Sequence, residues 1–337
     1  MRWERSWAEA MGRGQSCERM VAIRDCRLRI VRMSKANEEA GARMRRLAAM
    51  PLRPIGTGRG HGRGFVWSAL TNVVAHREML GLLVRRDLKA RYKDSALGFF
   101  WSLVRPLIQL AIYFVVMGQF LRAAEGIPDF AVYVFAGLTA ISLFTEIVVG
   151  GTGSILANSG LVKKVYVPRE VFPLASVGSA LFNFGIQLVV LLLATLLVLK
   201  PPLHWEFFFI IPSLLVLVLY GTGLALMFSA INVYLRDMQY LVEVGTMLLF
   251  WASPVVYSWQ MVQSLVASPI LLEIYTNNPL TLAVLGFQRA FWVAGESVPT
   301  PDLLLLRLVI AIVVGIILLL IGHRVFLRLQ GNFAQEL

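Results

Sequence analysis

Charged residues are scarce in this sequence. They make up 15% of its 337 residues, whereas 57% are hydrophobic and the mean hydropathy is +0.68. Soluble domains carry about a quarter charged residues. Apolar runs such as 182–199 and 303–321 approach the ~20 residues that cross a bilayer. The composition excludes an ordinary soluble domain and predicts an all-α polytopic membrane protein.

The apolar part of the chain also lacks cysteine and the common catalytic motifs. Cys17 and Cys26 both precede it, which excludes a disulfide framework or a cysteine metal site there. The sequence contains no G-x-x-x-x-G-K-S/T phosphate loop, no H-E-x-x-H and no G-x-S-x-G. We therefore expect no catalytic residue, no metal and no cofactor on this chain, and a membrane enzyme is disfavoured.

Positive charge is concentrated at the N-terminus. Of the 32 Lys and Arg residues, 21 lie at or before Lys93, against nine acidic residues up to Asp94, and the remaining 11 cations are balanced by 11 acids. Next to a membrane span this indicates a cytoplasmic flank at anionic lipid rather than a nucleic-acid site. Residues 1–64 are predicted to be a basic, disordered arm. A translation start further along, with Met33 favoured, and RNA binding by the Gly/Arg repeat at 56–64 are the alternatives.

Residues 65–98 are predicted to hold an amphipathic helix that lies at the inner membrane surface. The apolar row of this helix consists of Leu80, Val84, Leu88 and Tyr92. The neighbouring basic row consists of Arg85, Lys89 and Lys93. Asp87 and Arg91 interrupt the apolar row, and their spacing allows them to pair. An ordinary solvated helix is the alternative.

Six membrane spans are predicted, at 99–121, 131–151, 172–199, 207–234, 240–257 and 303–323. Between the last two, the interrupted stretch 258–302 favours short helices that enter the membrane from outside and return. Lys and Arg are commoner in the loops on the N-terminal side, so both termini, including the tail 324–337, are expected in the cytoplasm.

Ionisable residues inside spans mark a function or a buried pair. Arg105 and Glu146 fall in the inner halves of the first two spans, and we expect them to form a structural ion pair. A proton-coupling role for Glu146 is the alternative. The loop between the second and third spans predicts a short helix at 158–165, capped by Asn158 or Ser159 and stopped before Pro168. Such a helix suits docking into a groove of another protein, and a plain basic connection is the alternative.

Four segments carry a resemblance to a known family. They are "RRDLKARYKDSALGFFWSLVRPL" (85–107), "GTGSILANSGLVKKVYVPREVFPLASV" (151–177), "NVYLRDMQYLVEVGTMLLFWASPVVY" (232–257) and "NNPLTLAVLGFQRAFW" (277–292). In this order they resemble the permeases of ABC type-2 exporters that move polysaccharides. The resemblance covers about 72–337 and leaves the first 60 residues without a counterpart.

The resemblance implies a homodimer in the inner membrane with two copies of a separate ATPase, which would hold ATP and Mg. The implied substrate is a lipid-linked polysaccharide, with O-antigen first and capsule or teichoic acid behind it. A drug or lipid exporter, a proton-driven secondary transporter and a membrane anchor for an envelope biosynthesis complex remain alternatives. No nucleic-acid partner is expected.

Site residues follow from the same resemblance. A gate helix where the lipid pyrophosphate gains access would include Arg85, Arg86, Lys89, Arg91 and Lys93. The coupling helix and loop that contact the ATPase would include Asn158, Gly160, Leu161, Lys163, Lys164, Pro168, Arg169 and Glu170. Aromatic residues that stack on sugars in the pore would be Phe99, Trp101, Tyr113, Phe114, Phe250 and Trp251, although an aromatic in a span more often packs against protein or lipid.

Overall fold

The computed structural model describes residues 77–92, 100–120, 127–164, 168–202, 204–295 and 298–337. Within these ranges every regular element is a helix. The predictions for the arm at 1–64, for Lys93 and for Phe99 fall outside the described residues, as do the side chains of Arg105 and Lys164.

The α-helices of the described chain follow one another in the order α1 (Arg77–Tyr92), α2 (Phe100–Tyr113), α3 (Phe130–Ala157), α4 (Ser159–Lys164), α5 (Val171–Leu197), α6 (Ile210–Tyr234), α7 (Met238–Trp251), α8 (Trp259–Leu265), α9 (Pro269–Thr276), α10 (Pro279–Phe291), α11 (Leu304–Leu329) and α12 (Phe333–Glu336). A π-helical segment, Phe114–Phe120, continues α2, and a 3₁₀ turn, Trp205–Phe209, leads into α6.

Four helical stretches among the described residues are long and apolar enough to cross a bilayer. They are Phe130–Ala157, Val171–Leu197, Trp205–Tyr234 and Leu304–Asn332. These match the second, third, fourth and sixth predicted spans and confirm a polytopic membrane protein. The second span runs beyond its predicted end at Gly151, because this glycine lies against Ala225 in mid-helix instead of ending the helix.

The other two predicted spans are shorter as helices. The first consists of α2, with Pro106 inside it, and the π-helical segment to Phe120. The fifth, α7, has 14 residues, about 21 Å at 1.5 Å per residue, and ends at Trp251 instead of Tyr257. By length and composition the described helices therefore provide four spans. Helices α9 and α10, bent by 72°, provide a fifth if they cross as one broken span.

Helix α3 lies at the centre of the bundle, with 78% of its most apolar stretch buried. It packs against α5 and α6, while α6 also packs along α11. Small residues allow these close approaches: Gly221 lies against Ile147 of α3, and Gly223 lies against Gly322 of α11. Small residues at helix contacts are typical of membrane bundles, where packing rather than water exclusion drives association.

One end of the bundle, which we call the basic end, holds α1, α4 and the C-terminus. A separate hydrophobic cluster lies there, formed by Ile155, Val162, Phe172, Leu226, Ala230, Val233, Phe326 and Phe333, with Leu83 of α1 packed against it. We call this the end cluster. It joins helices that are far apart in sequence into one unit.

The opposite end holds the irregular turn 252–257 after α7. The hydroxyl oxygen of Tyr133 lies 3.1 Å from the carbonyl oxygen of Pro254 and 2.8 Å from that of Tyr257. The amide of Gln288 donates to the Pro254 carbonyl at 2.7 Å. Residues 253–256 are buried. Because buried backbone groups need hydrogen-bond partners, these side-chain donors allow the chain to leave helical geometry there.

Helix α11 is anchored to α9 at the same end. The Arg307 guanidinium donates to both carboxylate oxygens of Glu273, at 2.6 and 2.9 Å, and to the side-chain oxygen of Asn277 at 2.8 Å. A planar guanidinium suits such a bidentate carboxylate contact. Asn278 caps α10, accepting from the Leu280 N–H at 3.1 Å, so the "NNPL" sequence encodes the bend between α9 and α10.

Replacing Gly322 by Ala is expected to destabilise the fold. An added Cβ would collide with the carbonyl of Gly223, which is backbone and cannot rotate away. Overpacking of this kind costs about 1–3 kcal/mol. A lower midpoint of thermal aggregation in detergent should result. Gly185→Ala, in α5, is the matched control, since nothing lies within 4 Å of its added Cβ. Equal midpoints for the two variants would contradict this packing.

Candidate functional site

Two adjoining cavities, of about 630 and 640 Å³, open between α1, α3, α5 and α7. Arg91, Glu146 and Val149 line both of them. We call the joined space the polar crevice. The inner cavity is also bordered by α2, and the outer cavity continues to the basic end beside Asn158.

The crevice is polar because hydrophilic side chains recur at helical spacing on otherwise apolar helices. On α5 the polar residues that line the crevice are Ser176, Ser179, Asn183 and Gln187. Spacings of three and four residues place these side chains on one face of the helix. The sequence analysis missed this stripe, although its period was visible in the printed sequence.

Glu146 lies where the two cavities meet. Its carboxylate accepts a hydrogen bond from the side-chain amide of Asn183 at 2.9 Å, and its other oxygen lies 3.9 Å from the guanidinium of Arg91. The expected ion pair with Arg105 stays a prediction, since the side chain of Arg105 is outside the described residues. Asn183 is 5% exposed and Glu146 about one-third exposed. The buried amide of Asn183 therefore holds the Glu146 carboxylate at the wall of the crevice.

Gln187 lies one helical turn beyond Asn183 in the inner cavity. It is 8% exposed, and none of the hydrogen bonds between described residues involves its side chain. The buried oxygen atoms of Ser179 and Gln239, which line the outer cavity, also have no hydrogen-bond partner in the described structure. The wall of the crevice therefore presents unsatisfied hydrogen-bonding groups.

Aromatic side chains border the inner cavity. Trp101 and Phe250 line it, and Phe250 connects to two neighbours, with ring centres 5.9 Å from Tyr113 and 5.2 Å from Trp251. Phe114 is exposed at the start of the π-helical segment. Four of the six nominated aromatics, Trp101, Tyr113, Phe250 and Trp251, thus lie at or next to the inner cavity. Their role in a pore stays a prediction.

The nominated cations of α1 that the structure describes are all exposed. Arg86 and Arg91 also line the crevice, whereas Arg85 and Lys89 do not. The pairing that the spacing of Asp87 and Arg91 allows does not form. Asp87 instead contacts its neighbour Arg86 at 2.7 Å, because Arg91 extends towards Glu146.

The loop after α3 forms a short helix, as predicted. The carbonyl of Asn158 accepts from the N–H groups of Leu161 and Val162 at 2.9 and 3.0 Å. Its side chain, however, caps no N–H group of α4: the amide donates to the Ser154 carbonyl at 2.8 Å and its oxygen accepts from Arg86 at 2.6 Å. This contact joins α1 directly to the start of α4.

The two faces of α4 differ. Gly160, Leu161 and Lys163 are exposed, whereas Val162 is buried in the end cluster. An exposed apex on a buried base is suited to contact with another protein.

The rest of the loop is fastened to the C-terminal part of the chain. Arg169 lies 5.5 Å from the centre of the Phe333 ring, in cation–π geometry. A carboxylate oxygen of Glu170 lies 3.3 Å from the imidazole of His323 on α11. Pro168 is half-buried just before them. The loop is therefore held by both of its ends.

Comparison with known proteins identifies the class. Residues 78–292 match the model of the ABC-2 type transporter family. This range covers α1 to α10 and both walls of the crevice, and it includes more than half of the chain. The chain belongs to the ABC-2 type transporter family.

Individual relatives narrow the comparison. The chain is 29% identical to the O-antigen export system permease protein RfbA of Klebsiella pneumoniae over 262 residues, 77% of this chain and 95% of the relative. It is also 29% identical to the RfbA of Myxococcus xanthus, over 78% and 96% of the two chains. The polysialic acid transport protein KpsM of Escherichia coli is 24% identical over 52% of this chain and 68% of its own length. The relatives and the apolar helices together indicate a multi-pass protein of the inner membrane.

Replacing Arg86 by Met should loosen α1 from the loop, because the contact with Asn158 is lost while the aliphatic stem is kept. Loss of a hydrogen bond of ~1–1.5 kcal/mol predicts about tenfold faster amide hydrogen exchange across 77–92. Arg85→Met is the matched control, since Arg85 is exposed and makes no ion pair or hydrogen bond within the described part of the chain. Equal exchange rates in the two variants would contradict the bridge.

Proposed function

We propose that this chain is the membrane subunit of an ATP-driven exporter that moves a lipid-linked polysaccharide, O-antigen in the first instance, across the inner membrane. The observation that carries the proposal is the match to O-antigen export permeases over 95–96% of their length. The polysialic acid transport protein matches a smaller share of both chains. ATP would be hydrolysed on two copies of a separate ATPase, and two permease chains would enclose the path.

The proposal includes a topology of six spans with both termini in the cytoplasm. Helices α2 and α7 would complete the count, with α2 lengthened by the π-helical segment and α7 by the turn at 252–257. Helices α9 and α10 would enter from the outside and return, fastened by Arg307 to α11. The basic end then faces the cytoplasm, where Lys and Arg in short loops are favoured.

Helix α1 would act as the gate. Its cations lie at the mouth of the crevice (Arg86 and Arg91) and on the outer face of the helix (Arg85 and Lys89). Guanidinium and ammonium groups bind phosphate strongly, so this helix suits both the lipid headgroups and the pyrophosphate of the carrier.

Helix α4 would transmit the movement of the ATPase. A push on its exposed face displaces Val162 and thereby the end cluster, to which α3, α5, α6 and α11 all contribute. Arg86 carries the same displacement to α1. Closely packed side chains transmit such displacements because they deform little.

Sugar rings would pass along the aromatic side chains beside the inner cavity. Phe250 and Trp101 offer flat apolar faces, and the neighbouring Tyr113 and Trp251 extend them. Stacking contacts of about 0.5–1.5 kcal/mol are weak enough to allow each ring to move on.

A proton-coupled transporter acting through Glu146 is the second candidate. The position of this carboxylate in the crevice favours it, and the match to a family of ABC type opposes it. Export that persists when the membrane proton gradient is collapsed but ATP is maintained would exclude this candidate.

Charge reversal on α4 tests the proposal. In membranes that contain the co-purified ATPase, Lys163→Glu should reduce export-coupled ATP turnover about tenfold, equivalent to ~1.4 kcal/mol. The physical reason is that Lys163 lies on the exposed face that would contact the ATPase. ATP turnover and the amount of bound ATPase are measured in parallel.

Arg328→Glu is the control, because it reverses an exposed charge at the same end of the bundle outside the loop. If no ATPase co-purifies with the wild-type chain, or if both variants behave alike, the coupling role of α4 is refuted.

A further inference from the structure

The polar crevice differs in charge between its mouth and its interior. The outer cavity is lined by two arginines, Arg86 and Arg91, and by two carboxylates, Asp87 and Glu146, so the charges of its described residues balance. Among the described residues of the inner cavity, two carboxylates, Glu146 and Glu243, face the single guanidinium of Arg91. An anion is therefore disfavoured more strongly in the inner cavity than at the mouth, since like charges repel strongly where water is scarce.

The interior also contains hydrogen-bonding groups that the protein does not satisfy. Gln187 is more than nine-tenths buried, lines the inner cavity and makes no hydrogen bond among the described residues. Burying an amide without a partner costs about 1–3 kcal/mol in proteins. Its partner must therefore be water or a ligand with hydroxyl or amide groups.

The groups around Gln187 match the chemistry of a sugar ring. The Glu146 carboxylate accepts hydrogen bonds, the Asn183 amide donates, and Gln187 does both. Phe250 and Trp101 border the same cavity and offer apolar faces. A sugar has hydroxyl groups around its rim and C–H groups on its faces, so one ring can use both kinds of contact. The volume of about 630 Å³ lies within the ~300–1,000 Å³ of ordinary ligand sites.

We propose that the inner cavity is a subsite for one uncharged sugar ring, held by Gln187, Asn183 and Glu146. This inference rests on the proposed export function and specifies its substrate class. Neutral rings are accepted, whereas rings that carry a carboxylate are disfavoured by Glu146 and Glu243. The pyrophosphate of the carrier stays at the mouth, beside the arginines.

Cysteine labelling tests the subsite. Both native cysteines lie in the first 26 residues, so Cys17→Ser/Cys26→Ser gives a cysteine-free background. Ser142, which lines the inner cavity beside the three proposed ligands, is replaced by Cys as the reporter. The full chain in lipid nanodiscs is treated with a cationic, membrane-impermeant methanethiosulfonate, with and without maltoheptaose as the neutral probe and a sialic acid hexamer as the acidic probe.

We expect the Ser142→Cys thiol to react and maltoheptaose to slow the reaction. A probe at about ten times its Kd occupies about nine-tenths of the sites, which slows labelling about tenfold. The acidic hexamer should give little protection. Adding Gln187→Leu should abolish the protection by maltoheptaose, and Gln187→Met serves as a second variant if the first is poorly folded. Gln263→Leu, at an exposed glutamine outside the crevice, should leave the protection intact.

Several results would overturn the inference: an unreactive Ser142→Cys thiol, labelling that maltoheptaose does not slow, equal protection by the acidic hexamer, or protection that survives both Gln187 variants. The experiment needs no ATPase. A failed subsite is therefore distinguishable from a failed export function, which is judged by ATPase co-purification and export in the wild-type chain.

Discussion

The requirement that polar groups be satisfied inside hydrocarbon governs this structure. The turn at 252–257 leaves helical geometry, and Tyr133 and Gln288 supply the hydrogen bonds that the backbone there lacks. Hydrogen-bonding groups without a protein partner remain along the described walls of the crevice, at Ser179 and Gln239 in the outer cavity and at Gln187 in the inner cavity. Buried oxygen atoms elsewhere, such as those of Ser213 and Asn232, also lack a partner, but they do not line the crevice. The combination of unpaired groups with open volume is the physical basis for proposing that the crevice takes substrate.

In the proposed mechanism, the basic end would convert a contact on its surface into movement of several helices. Val162 of α4, Leu83 of α1 and Phe333 of the C-terminal tail all meet in or against the end cluster. Arg86 adds a polar bridge from α1 to the loop, and Arg169 and Glu170 fasten its other end. In the proposed mechanism, the loop after α3 and the helix α1 would therefore move as one mechanical unit.

Much of the fold was predictable because long apolar runs leave few alternatives: four spans, the short helix after α3 and the break at the "NNPL" sequence all follow from local composition. The side-chain contacts between helices could not be predicted in this way. Asp87 and Arg91 have the spacing of a pair, but Glu146, 55 positions after Arg91, attracts Arg91 instead. Asn158 or Ser159 was expected to cap α4, but contacts with Arg86 and Ser154 engage the side chain of Asn158. The helical spacing of the polar residues on α5 is visible in the sequence. Only the fold shows that α3 and α7 face these residues across a cavity.

The most direct measurement of the central claim is a pair of electron spin distances. Labels at Leu82→Cys and Leu161→Cys report on the gate and coupling helices, and labels at Leu161→Cys and Ile270→Cys relate the coupling helix to the opposite end; all three positions are exposed. The labelled chain is diluted with unlabelled chain and assembled with its ATPase. On ATP binding, the distance between the labels at 82 and 161 should stay constant within about 2 Å, the scale of small helix shifts, while the distance between the labels at 161 and 270 should change by more. Equal changes in the two distances would contradict a single mechanical unit.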